Sequence, residues 1–384
     1  MVLLELWDFI CPTIPHISYA CTTNNNNNNS IPCLISSSTT TTTTTTTRED
    51  SSLFHLMTLL FQKLRTPCLK SFSYARYDQS RKYKSHPAFI LERPNVISKF
   101  VNLYDVKISH QCQLLFVCDA GGAKVYIFHI KTKNLINSLS WFKSENDYPH
   151  RLCVEEDAST MTGTCHLFIS TSRGKLLKCR VSKEGKFDKK NCVIWEKHDF
   201  FEGFAKRAEM TILYSKRDGN RILCCVEKKI IMLNSQDGSV ITTFETLDLI
   251  TDVNKHFVYV RDASTIQIID PCSMAKPQLV VGIRNSYICI YIYILEMQFN
   301  EEQQEWKLVE KKRFTKPGCS EVNVILDRGH GLMMLCRRGV DTQVISLHTG
   351  QEVQTLNFSA KNGCLDEVNG VGYFIVGKKV FVFE

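Results

Sequence analysis

The stretch from Leu114 to Leu139 constrains the fold of this chain more than any other. An apolar run of Leu114, Leu115, Phe116, Val117 and Cys118 breaks at Asp119 to Gly122, then resumes from Lys124 as Val125, Tyr126, Ile127, Phe128, His129 and Ile130. A second polar break, Lys131 to Asn134, leads into Leu135, Ile136 and Leu139. Short runs of β-branched and aromatic residues between tight polar breaks read as strand, turn, strand, turn, strand. Such a meander is apolar on both faces, so other parts of the chain must cover it.

The rest of the chain supplies that cover by repetition. Aligned on the first residue of the middle strand, the copies open at Lys124, Lys175, Lys229, Thr265, Thr342 and Lys379, in steps of 51, 54, 36, 77 and 37 residues. The step of 77 is about twice the shortest ones, which places one degenerate copy between Gly282 and Gly318. A period of roughly 40 residues with several short strands per unit marks a β-propeller. The expected fold is therefore all-β, a propeller of six or seven four-stranded blades, seven if the degenerate copy forms its own. A closed ring leaves no blade with a bare face. The chain ends just after Val382 and Phe383, in the third strand of its unit, so an outer strand is missing. Ala88 to Phe100, with Phe89, Ile90, Leu91, Val96 and Ile97, is expected to supply it.

Over about three quarters of the chain the unit resembles the WD40 and NHL families of propeller repeats, in pattern rather than signature. There is no Gly-His pair followed by Trp-Asp, and Trp7, Trp141, Trp195 and Trp306 do not share a repeat position. The strand, Asp-Gly or Thr-Gly turn and strand at Ser235 to Phe244 and His348 to Phe358 are nearest to NHL repeats. The resemblance implies a rigid platform whose end loops bind another protein. Its alternative is single-stranded RNA on a basic end surface, as in some NHL-type propellers. A hydrolase or lyase with a metal in the central channel is a third class.

Three segments are expected: 1–50, of low complexity; 51–86, a helix and basic linker; and 87–384, the propeller. Asn24 to Asn29 and Thr39 to Thr47 are homopolymer tracts that cannot bury apolar surface and read as disordered. The apolar start lacks the basic residues of a signal peptide, since no Lys or Arg precedes Arg48 while Glu5 and Asp8 interrupt it. Apolar residues from Leu53 to Leu64 suit an amphipathic helix capped by Ser51 or Ser52. No apolar run is long enough to span a membrane. The 17 cysteines are odd in number and lie in apolar strands, as at Cys118, Cys179, Cys224, Cys225 and Cys336. Reduced thiols in a cytoplasmic or nuclear protein fit this better than a disulfide framework. No Cys-x-x-Cys pair occurs, and the nearest cluster, His110, Cys112 and Cys118, lacks the close ligand pairs of structural zinc. Neither a metal nor another cofactor is expected.

Charge is unevenly spread. Lys63, Arg65, Lys70, Arg76, Arg81, Lys82 and Lys84, against Asp78 alone, place +6 of the net +8 between Phe61 and His86. Basic side chains there, interleaved with Phe72, Tyr74, Tyr77 and Tyr83, suit phosphates and bases, or simply a solvated linker. Within the propeller the candidate binding residues are Lys216, Arg217 and Arg221 around one turn and Arg337 and Arg338 beside Gly339. Glu155, Glu156 and Asp157 read as an exposed acidic loop able to meet a cation or a basic peptide. Ile290 to Ile294 alternates Ile and Tyr with no polar face. It reads either as a strand buried on both sides or, slightly preferred, as a stretch foreign to the repeat. No Gly-x-Ser-x-Gly elbow, phosphate loop or His-Glu-x-x-His helix occurs. The expected function is protein binding, with no catalytic residue assigned and the oligomeric state open.

Overall fold

The computed structural model describes residues 89–91, 100–140, 147–156, 163–186, 192–198, 208–214, 219–226, 229–245, 260–269, 277–285, 289–317, 322–367 and 369–383. They form six four-stranded antiparallel sheets. Blade I contains β2 (Leu103–Ser109), β3 (Leu114–Asp119), β4 (Lys124–His129) and β5 (Leu135–Leu139). Blade II contains β6 (Pro149–Glu156), β7 (Thr164–Thr171), β8 (Leu176–Ser182) and β9 (Val193–Lys197). Blade III contains β10 (Glu209–Leu213), β11 (Arg221–Val226), β12 (Lys229–Asn234) and β13 (Val240–Glu245). Blade IV contains β14 (Val260–Ile268), β15 (Gln278–Asn285), β16 (Cys289–Asn300) and β17 (Glu305–Pro317). Blade V contains β18 (Val322–Asp327), β19 (Leu332–Arg337), β20 (Val340–Ser346) and β21 (Glu352–Leu356). Blade VI joins β22 (Asn362–Asp366), β23 (Val371–Val376) and β24 (Lys379–Phe383) to β1 (Phe89–Leu91).

The first strands of the blades stand side by side in a closed circuit, β22 returning to β2. The apolar core is accordingly divided into six layers, one at each junction between blades. Phe116 and Cys118 of β3 face blade II, whereas Leu115 and Val117 of the same strand face blade VI. Alternate side chains of a strand point to opposite faces. A strand between two neighbours must therefore be apolar at every position, which explains the unbroken run at Leu114 to Cys118. Only the outermost strands alternate with solvent, as β13 does from Val240 to Glu245.

The ring is latched as the sequence suggests. Phe89 pairs with Val382, Ile90 with Phe381 and Leu91 with Val380. Val96 and Ile97 lie outside the described residues, as do the homopolymer tracts, the helix proposed over Leu53 to Leu64 and the basic linker from Lys63 to Lys84.

There is no seventh blade. Third strands begin at Lys124, Leu176, Lys229, Cys289, Val340 and Lys379, giving steps of 52, 53, 60, 51 and 39. Thr265 lies in the first strand of blade IV, not the third, and that misalignment created the step of 77. The residues assigned to a degenerate copy are the long β16 and β17 of that same blade. Ile290, Ile292 and Ile294 of β16 pack toward blade V, while Tyr293, Leu295 and Met297 pack toward blade III. The Ile-Tyr alternation is thus a strand buried on both faces rather than a stretch foreign to the repeat.

A second contact recurs between blades. The turn after the third strand places a glycine with positive φ against the outer strand of the preceding blade: Gly185 on Ile136, Gly238 on Trp195 and Gly350 on Phe314. A β-carbon at Gly238 would lie 3.1 Å from Trp195 and from Lys197. The Asp-Gly and Thr-Gly turns read from the sequence are these positions.

Candidate functional site

Two regions of a propeller ring can meet a ligand: the axial channel lined by the first strands, and the turns at either end. In the channel the charged groups hold one another. Arg151 of β6 places Nε 3.1 Å from Glu209 Oε2 of blade III. Its Nη1 donates to Tyr104 O of blade I at 3.0 Å, and its Nη2 donates to Asn323 Oδ1 of blade V at 3.0 Å. Blade V lies opposite blade II, so this side chain crosses the axis. Lys107 of β2 lies 3.4 Å from both Glu209 and Asp105. Asp105 also accepts from Asn362 Nδ2 and from Leu152 N, each at 2.8 Å. Burial alone would lower the pKa of Lys107, but Asp105 and Glu209 outweigh it and hold the ammonium protonated. Two cations and two anions thus close the channel as a neutral network that draws on five of the six blades.

Glu155 and Glu156 do not form an exposed loop. They are buried at the end of β6 and, being adjacent, point to opposite faces of blade II. Glu155 meets Lys178 Nζ at 2.7 Å and His166 Nδ1 at 3.1 Å, and accepts from Asn220 Nδ2 of blade III at 2.8 Å. Lys178 also donates to Ser235 O at 2.9 Å, and Trp195 Nε1 donates to the same carbonyl at 3.1 Å. Burial pushes the Glu155 carboxyl up, yet the His166 contact, the Lys178 charge and the hydrogen bonds from Lys178 and Ser235 together bring it down to about 2. Glu156 turns to blade I, accepting from Ser109 Oγ at 2.9 Å and His110 N at 2.6 Å. Burial raises its pKa against these bonds. Both carboxylates are clasps between blades. Asp157 lies outside the described residues.

The proposed zinc cluster comes apart in space. Cys112 is at the turn leading into β3, with Sγ 3.3 Å from Gly163 O of blade II, while Cys118 is at the far end of β3. His110 Nδ1 lies 3.4 Å from Asp366. Among the described residues no group of His, Cys, Asp and Glu has the geometry to hold a metal ion. Ten described cysteines are free of disulfides, nine of them buried, and burial pushes the Cys336 thiol up to about 12. They pack as small apolar groups.

Of the candidate basic residues, Lys216 and Arg217 lie outside the described residues. Arg221 opens β11, its guanidinium carbon 4.8 Å from the ring centroid of Trp306 in blade IV. Arg337 is 6% exposed, with Nη2 donating to Gln343 at 2.6 Å. Arg338 is exposed. In an up-and-down blade the turn between the first two strands and the turn between the second and third are at opposite ends. Arg221 and Arg338 therefore sit on opposite ends of the ring. Four strands return the chain to its starting end, so every blade runs in the same sense and equivalent turns gather together.

Sequence reasoning missed what the turns between second and third strands share. Lys124, Arg173 with Lys175, Lys229, Arg338 and Lys378 occupy this turn in blades I, II, III, V and VI. The equivalent turn of blade IV lies outside the described residues. The signal was present, because the copies opened on Lys124, Lys175, Lys229 and Lys379. It becomes a surface feature only when those residues are known to stand at one end.

Among the described residues no helix is long and apolar enough to cross a membrane. No family model matches the chain, and no curated protein sequence does. Among solved structures it is similar to Raptor from Chaetomium thermophilum, at 10% identity and a TM-score of 0.53, over 83% of this chain and 30% of that one. A chain of the mitotic checkpoint complex aligns at 10% identity and a TM-score of 0.45, over 79% of this chain and 97% of that one. The chain spans about 30% of the length of the Raptor chain it matches. At such identity the likeness shows the fold alone: this chain is a six-bladed propeller of the WD40-like kind.

Proposed function

We propose that this propeller is a non-catalytic scaffold that binds another protein through the turns at one end of the ring. The observation that carries this reading is the filled channel, where Arg151 spans the axis to Asn323 and all four charged groups have charged partners. Groups so engaged hold blades together, leaving the end turns as the surface that can recognise a ligand. Those turns are held rigidly. Asp119 accepts from Asn102 N at 2.9 Å and Gly122 N at 3.2 Å, and Gly339 N donates to Ser359 Oγ at 2.7 Å. A surface ordered beforehand loses little entropy on binding. The unlinked cysteines suit the reducing cytoplasm or nucleus.

The test is to purify the tagged full chain and cross-link it to what accompanies it. A partner whose cross-links map to turns at one end is expected. Failure to retain any partner at moderate salt, together with turnover of an ester or lactone that chelator abolishes, would replace the scaffold with an enzyme.

A further inference from the structure

We infer that the end of the ring formed by the turns between second and third strands is a docking face for an acidic polypeptide segment; this rests on the protein-binding reading above. Each of the five described turns there presents a Lys or Arg. Two of these cations are partly neutralised: Lys175 lies 3.5 Å from Asp147 and 3.6 Å from Glu196, and Lys229 lies 3.5 Å from Glu245. Lys124, Arg173, Arg338 and Lys378 make no ion pair with a described residue. Asp341 is the exposed carboxylate nearest in sequence to Arg338, and it leaves the cations in excess. At the opposite end signs alternate, with Lys131, Lys183 and Lys186 against Glu184, Asp237, Glu301 and Glu302. One end of the ring is thus positive and the other mixed.

The arrangement fits a chain rather than a small anion. The cations are distributed around a rim, one turn per blade, over a channel already closed by its own neutral network. No pair of them converges on one point as a phosphate site requires, whereas a segment with spaced Asp and Glu can follow the rim. Single-stranded RNA would need aromatic platforms for its bases. Among the described residues the exposed aromatic side chain is Phe299, at the opposite end. Charge complementarity at exposed positions acts on encounter rate and on discrimination between partners, and it weakens with salt.

The test uses the full chain and a fluorescent oligoglutamate peptide as probe, with oligouridine RNA and phosphatidylserine vesicles as competing probes. One variant combines Lys124→Glu, Arg173→Glu, Arg338→Glu and Lys378→Glu. A control reverses as many charges on the other end: Lys131→Glu, Lys183→Glu, Lys186→Glu and Lys307→Glu. Circular dichroism first confirms that both variants fold. The expected result is a loss of oligoglutamate affinity of at least about tenfold in the first variant and little change in the control. Equal loss in both would reduce the effect to net charge and overturn the inference. So would wild-type chain that binds the RNA or the vesicles but not oligoglutamate. If cross-linked protein partners persist in the first variant, the scaffold reading stands while this face is rejected.

Discussion

Glu155 shows how one side chain can serve two blades. Its carboxylate is held by His166 and Lys178 from its own blade and by Asn220 and Ser235 from the next. The folded chain holds its pKa at about 2, against 4.5 for the free group, so folding favours the ionised form. The resulting stabilisation is complete above 4.5 and is lost as pH falls through that window toward 2. It amounts to something on the order of 3 kcal/mol. Denaturant melts across this range should fall more steeply for the native chain than for Glu155→Gln, and identical slopes would remove Glu155 from the acid transition. Nothing local announces this role. Two glutamates and an aspartate in a row look solvated, and the partners that bury Glu155 lie as far away as Ser235, 80 residues on.

At the scale of strands and blades, the sequence was most legible where physics is local. Strand type, the Gly238 and Gly350 turns, the latch at Phe89 to Leu91 and the unbroken apolar middle strands all follow from period and turn chemistry. Blade count was not so legible, because blade IV builds strands of 12 and 13 residues and thereby stretches its repeat. A step counted from Thr265 then looked like a missing unit. The latch carries its own prediction. β24 pairs with both β23 and β1, so deleting Val380 to Glu384 exposes two strand edges at once. Most of the truncated protein should appear in the insoluble fraction. A soluble monomer with an unchanged melting curve would show that the ring closes by other means.

Across the whole molecule the axial network is the feature that no sequence pattern shows, since Asp105, Lys107, Arg151 and Glu209 belong to three blades and look unremarkable one by one. Arg151→Met strands the Glu209 carboxylate with Lys107 alone and should cost about 3–5 kcal/mol. Adding Glu209→Leu should recover much of that loss, because two apolar side chains can share the vacated space. Additive losses in a double-mutant cycle would mean that the two charges do not act as a pair. The latch has another consequence, in time rather than space. Leu91 and Val380 pair although 289 positions separate them, and at synthesis rates of about 5–20 residues per second their strands leave the ribosome about 15–60 seconds apart. For that interval every new copy is an open arc whose leading strand has no mate. The yield of the protein in a cell then depends on what shelters the nascent chain until its last strand is made.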